Sequence, residues 1–123
     1  FVICSRYVKG GSTNIKGFRF FISYFGNKFM KYIFNINCNE YSCAYRGYSL
    51  NKLGDFNIKN ISSRGYSFFM EMIYHLHNKG FVIKEIPFHA QQRSLGRSKI
   101  PNIEIFRTLF NILRLKLKKI FNY

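Results

Sequence analysis

The amino-acid sequence predicts a small α/β domain, and three observations carry that prediction. The chain opens in Phe1-Val2-Ile3-Cys4, an apolar run that reads as a core strand already in progress. Apolar residues then recur at spacings of three and four between Phe18 and Phe34, the stripe of a helix of about four turns. Further on, an apolar helix, a glycine stop and a strand ended by proline follow one another over 68–87. At 123 residues the chain has room for one modest core, which excludes a multidomain machine.

Charge narrows the partners. Twenty Lys and Arg against five acidic residues give +15 at pH 7, while 47% apolar and 20% aromatic content exclude a disordered basic tail. A field of one sign draws anions: nucleic acid, anionic lipid head groups or phosphate-bearing small molecules. The frequent Asn, Lys, Ile, Phe and Tyr match the usage of an AT-rich genome, which discounts part of that charge. Cys4, Cys38 and Cys43 are too few for a zinc site and odd in number for a disulfide framework, so they read as buried or tolerated thiols. No stretch reaches the ~18 apolar residues of a spanning helix, and no signal-peptide pattern stands at the start. A chain that opens in mid-strand on Phe1 reads as a fragment lacking its N-terminal part.

The elements follow in order. After the opening strand, Val8-Lys9-Gly10-Gly11-Ser12 has the paired glycines of a loop, continued by Asn14 to Gly17. The helix over 18–34 carries Phe18, Phe21, Ile22, Phe25, Phe29, Tyr32 and Ile33 as its stripe, with Lys28 and Lys31 toward solvent. Residues 35–41 are polar and punctuated, and 42–50 read as a short strand and a turn. The next helix, over 68–77, is apolar nearly all round and therefore buried. It stops at Gly80, before a strand over 81–87. A basic loop over 91–99 leads to Pro101, which opens a last helix with Ile103, Phe106, Phe110, Leu113, Leu117 and Ile120 along one side. Arg107, Arg114 and Lys118 flank that stripe.

Three basic positions are best placed to bind phosphate: Arg6 at the end of the first strand, and Arg93 and Lys99 in the loop before the last helix. Arginine donates two parallel hydrogen bonds to a phosphate, and lysine follows charge on a flexible stem; the alternative for each is a solvated surface charge. Glu71 is a carboxylate within an apolar helix, either satisfied by a nearby Arg, Lys or hydrogen bond or acting as a general base. His75 and His77 point about 200° apart on a helix and cannot share a metal; His89 stands alone. Walker-type glycines, a Gly-x-Ser-x-Gly elbow and paired catalytic carboxylates are absent.

Six motifs in order, over residues 4 to 100, resemble the C-terminal half of a family 2 glycosyltransferase close to the dolichyl-phosphate (polyprenyl-phosphate) mannosyltransferases. They are Ser5-Arg6-Tyr7 with Gly10-Gly11; Arg19-x-x-x-Ser23-x-x-x-Asn27; Glu40-x-Ser42-Cys43-Ala44-Tyr45-Arg46; Gly65-Tyr66-Ser67-Phe68-x-x-Glu71; Glu85-Ile86-Pro87; and Arg93-x-x-Gly96-x-Ser98-Lys99. The resemblance implies the acceptor-side half of a GT-A, Rossmann-like domain over 1–100, followed by an amphipathic basic helix over 101–123. It implies transfer of a sugar, mannose or glucose, from a nucleotide-sugar to polyprenyl or dolichyl phosphate, peripherally at the cytoplasmic face of a membrane. In such enzymes the acceptor phosphate is held at positions matching Arg6, Arg19 and Ser23, and the donor diphosphate at those matching Arg93 and Lys99. Glu40, Arg46 and Glu71 fall at supporting positions. A divalent cation, Mg or Mn, is expected in the full-length enzyme on an Asp-x-Asp strand upstream of Ser5, so no metal ligand is expected in this chain. Ala44 replaces the motif glycine, Tyr24 an arginine, and Gln92 an acid, departures that fit a divergent acceptor or sugar. The last helix suits a lipid interface, with ordinary packing on the sheet as the alternative. From the charge alone, a non-catalytic basic module for nucleic acid or anionic membrane remains the rival reading, although the resemblance ranks nucleic acid below lipid phosphate.

Overall fold

The computed structural model describes residues 1–54, 56–91 and 102–121, without the side chains of Asn102 and Lys119. It is a mixed α/β arrangement. Strand β1 (Val2–Ser5) is the centre of a three-stranded sheet, antiparallel to β3 (Arg46–Gly47) and parallel to β4 (Lys84–Pro87). A separate parallel pair joins β2 (Ser12–Thr13) to β5 (His89–Ala90). The described residues also form the α-helices α1 (Phe18–Phe34), the short α2 (Leu50–Leu53), α3 (Tyr66–Asn78) and α4 (Asn102–Ile120), with one 3-10 turn at Ile58–Asn60.

The opening strand is central, as its apolar run predicts: Ile3 and Ser5 are wholly buried, and a neighbour on each side uses its backbone groups. Helix α1 has the limits that its spacing predicts and ends where Asn35 turns left-handed at φ 53°. Its burial is another matter. The helix meets the core through Asn27, Met30 and Phe34, while the aromatic stripe Phe18, Phe21, Phe25, Phe29 and Tyr32 lies exposed. The smaller Met30 and the polar Asn27 are inside, and buried Asn27 is satisfied on both sides, by the Ser23 carbonyl of its own helix and by the Tyr41 amide of the following loop.

Helix α3 is largely buried, with Met72, Ile73, Tyr74 and Leu76 on the inside. The strand after it is shorter than the apolar run suggests, starting at Lys84, and residues 42–50 yield only the two-residue β3 before α2. Helix α4 packs on α3, and its Ile112 and Leu115 join the core of Ile3, Met30, Phe34 and Ile73. The stripe Ile103, Phe106, Phe110, Leu113, Leu117 and Ile120 is exposed. Among the described residues no helix is long and apolar enough to cross a membrane.

Candidate functional site

The end of β1 delivers Arg6 against the side of α1 and the loop after it. The glycine loop makes this possible: a Cβ on Gly11 would stand 2.5 Å from the Ser5 carbonyl oxygen and 2.9 Å from the Arg6 carbonyl carbon. Only glycine lets the chain fold back so closely on the strand end.

Arg6 donates from Nε to Glu40 Oε2 at 2.7 Å and from Nη2 to Glu40 Oε1 at 2.9 Å, the bidentate geometry of a strong pair. Its Nη2 also reaches Ser42 Oγ at 2.9 Å and Ser23 Oγ at 3.2 Å. Glu40 is fully buried and further accepts from the Ser42 amide at 3.1 Å and the Ser42 hydroxyl at 2.7 Å. Burial pulls the Arg6 guanidinium down, but the hydrogen bond and charge of Glu40 outweigh it and raise it above its ordinary value. The phenol of Tyr7 donates to Ser23 Oγ at 2.7 Å. Asn27 fastens the back of this cluster, donating to the Ser23 carbonyl at 2.8 Å and accepting from the Tyr41 amide at 2.6 Å.

Arg6 and Ser23, seventeen residues apart, are thus in contact. Arg19 lies one helical turn before Ser23 on α1 and is exposed. Among the described residues no hydrogen bond engages Arg6 Nη1 or takes the Ser23 hydroxyl proton. The cluster therefore keeps unused donors, the equipment of an anion site. Arg93 and Lys99 lie outside the described residues.

Arg46 and Glu71 do other work. Arg46 donates to the carbonyls of Cys43, Phe69 and Tyr41 at 2.7, 2.7 and 2.8 Å, and its guanidinium lies 4.9 Å from the Phe69 ring centre. It ties the loop after Glu40 to α3, and burial lowers its pKa. Glu71 accepts from the Ser63 amide and hydroxyl, from Ser62, and from Arg114 Nη2 at 3.4 Å, with His75 Nε2 also at 3.4 Å. Burial alone would raise it, yet the hydrogen bonds from Ser63, Ser62 and His75 prevail and hold it below its ordinary value. A carboxylate so engaged is a clamp on residues 62–63 rather than a proton acceptor, and Arg114 is the cation that its burial calls for.

The described residues do not fit a divalent cation. No three of His, Cys, Asp and Glu converge among them, and Glu40 and Glu71 spend their oxygens on the partners above. Reading residues one at a time singles out Arg6 but misses Tyr7, Ser42 and Asn27, which stand inside the ordered motifs beside Arg6, Glu40 and Ser23.

No family model matches the chain, and no solved structure matches it. Curated proteins do, two bacterial ones among them. The polyprenol monophosphomannose synthase of Mycolicibacterium smegmatis is 28% identical over 111 residues, 89% of this chain and 42% of that protein. The undecaprenyl-phosphate mannosyltransferase of Micrococcus luteus is 30% identical over 114 residues, 92% of this chain and 47% of that protein. The chain spans somewhat less than half the length of these relatives. By sequence, then, the chain is similar across most of its own length to part of two proteins named for the handling of mannose and polyprenyl or undecaprenyl phosphates.

Proposed function

We propose that this chain is the acceptor-side part of a GT-A glycosyltransferase that moves a sugar, mannose or glucose, from a nucleotide-sugar to polyprenyl or dolichyl phosphate. The observation that carries the reading is the meeting of Arg6 and Ser23, with donors unused, in a chain whose relatives are named for polyprenyl-phosphate substrates.

In this reading the acceptor phosphate rests on Arg6, Ser23 and Arg19. One phosphate oxygen attacks the sugar's anomeric carbon, forming the new C–O bond as the bond to the nucleoside diphosphate breaks. The diphosphate departs with the bonding electron pair. The acceptor is already ionised at neutral pH, so no strong general base is needed, in keeping with Glu71 serving as a clamp. Arg93 and Lys99 are assigned to the donor diphosphate, where cations neutralise the growing charge of the leaving group. The resemblance implies a divalent cation, Mg or Mn, held upstream of Ser5. Helix α4 is assigned to the membrane surface at the cytoplasmic face, its exposed apolar stripe toward lipid.

The test is sugar transfer by the full-length protein, using membranes, polyprenyl phosphate and radiolabelled nucleotide-sugars. Ser23→Ala and Arg19→Ala should lower transfer about 10- to 100-fold at limiting polyprenyl phosphate, the worth of a hydrogen bond to a charged group. Arg93→Ala and Lys99→Ala should lower it at limiting donor. Near-normal turnover in all four would refute the assignment. The rival, a basic binding module, is favoured by the +15 charge alone and predicts no dependence on Ser23.

A further inference from the structure

Ser23 has one proton to give and two lone pairs to receive with, and the cluster uses only the receiving side. Arg6 Nη2 donates to its oxygen at 3.2 Å from one direction, and the Tyr7 phenol donates at 2.7 Å from another. Both lone pairs are engaged, and among the described residues nothing accepts the proton, which is left for a ligand. A serine on a helix would otherwise turn its hydroxyl back to the carbonyl four residues earlier; here no such bond forms.

We infer that Tyr7 is a positioning residue that fixes the Ser23 hydroxyl as a hydrogen-bond donor aimed at the acceptor's phosphate. This rests on the reading of Ser23 as a phosphate ligand and deepens it. Tyr7 is suited to the task. Its ring is set edge-on against Tyr24 at 5.6 Å between centres, and the Arg6 guanidinium lies 5.0 Å from its own ring centre, so the phenol has little freedom to swing away. Burial raises the phenol above its ordinary value against the opposing influence of Ser23 and Arg6, so it keeps the proton that it donates. Glu40 performs the matching service for Arg6, holding Nε and Nη2, while no hydrogen bond among the described residues engages Nη1. Serine and arginine, in contact with each other, are thus each held by a separate partner.

The experiment is a double-mutant cycle on Tyr7→Phe and Ser23→Ala in the full-length protein, read as binding of farnesyl phosphate by calorimetry, with thermal unfolding of each variant alongside. Tyr7→Phe keeps the ring and its packing and removes only the hydroxyl. It should weaken binding about three- to tenfold in the presence of Ser23 and by less than about twofold once Ser23 is alanine, because its hydroxyl acts only through Ser23. Ser23→Thr, which retains a hydroxyl, should keep the dependence on Tyr7 and so serves as a second measure should Ser23→Ala fold poorly. Equal losses from Tyr7→Phe in both backgrounds, or none in either, would overturn the inference while leaving Ser23 as a ligand. Farnesyl phosphate binding that is absent, or indifferent to Ser23→Ala, would instead overturn the phosphate-site reading, and the role of Tyr7 with it.

Discussion

Two carboxylates on this chain are buried to nearly the same degree and hold different things. Glu40 is paired to a single arginine that it aims at the candidate site, and Glu71 gathers two serines, a histidine and Arg114 into a structural knot. The knot has a titration signature. Because Glu71 is held below its ordinary value of 4.5, the stability that it contributes is fully present above that value. It is lost as the pH falls from there through the lower folded-state value. Glu71→Gln should lower the unfolding free energy by about 1–3 kcal/mol at neutral pH, by weakening hydrogen bonds to a charged group. The same variant should flatten the acid limb of the stability curve; urea midpoints taken downward from neutral pH would show this, and parallel curves for the two proteins would refute it. At this scale the motifs were legible, since Arg6, Ser23, Glu40 and Glu71 all stand in ordered patterns. Their partners were not. Arg114 reaches Glu71 from 43 residues away, and no local spacing carries that pairing.

Helices are the elements that the sequence spacing defines best and orients worst. The limits of α1 follow from periodicity, but periodicity marks an apolar face without saying whether it meets the core, and in α1 and α4 that face is outside. In α1 the rings pack on one another instead, Phe20 on Tyr24 at 5.7 Å and Phe21 on Phe25 at 6.1 Å. The inward side is marked by Asn27, which holds the Ser23 carbonyl within α1 and accepts from the Tyr41 amide, fixing α1 to the loop carrying Glu40. The turn between β1 and β2 exerts comparable control over the strand end. Gly11→Ala would drive a methyl into the Ser5 and Arg6 backbone, where nothing flexible can yield, and should cost about 1–3 kcal/mol as overpacking does. Gly26→Ala, within α1 and facing open space, should instead stabilise by about 0.5–1 kcal/mol. Thermal unfolding of the two variants side by side checks the pair; a loss at Gly26 or tolerance at Gly11 would contradict the packing described.

Taken whole, the molecule combines a charge of +15 with two helices whose apolar faces are uncovered, and the combination separates the rival partners. Attraction between exposed charges fades beyond a screening length of about 10 Å at 0.1 M salt, shorter still at higher salt, whereas burial of apolar surface does not. Binding to duplex DNA rests on counterion release and should fall by about 10³- to 10⁵-fold between 50 and 200 mM salt if six to ten phosphates are neutralised. A lipid surface engages both properties. Each Lys or Arg near an anionic leaflet contributes about 1 kcal/mol that salt removes, while the exposed side chains of α4 contribute a part that salt leaves in place. Sedimentation with phosphatidylglycerol vesicles should therefore show binding that weakens with salt and then levels off, where DNA binding continues to zero. Leu113→Glu, on the exposed stripe of α4 and clear of the Ile112 and Leu115 contacts, should abolish the salt-resistant remainder and leave the low-salt attraction largely intact. Vesicle binding that vanishes with salt as completely as DNA binding, and is indifferent to Leu113→Glu, would mean that the charge alone does the binding and would return the chain to the class of basic modules.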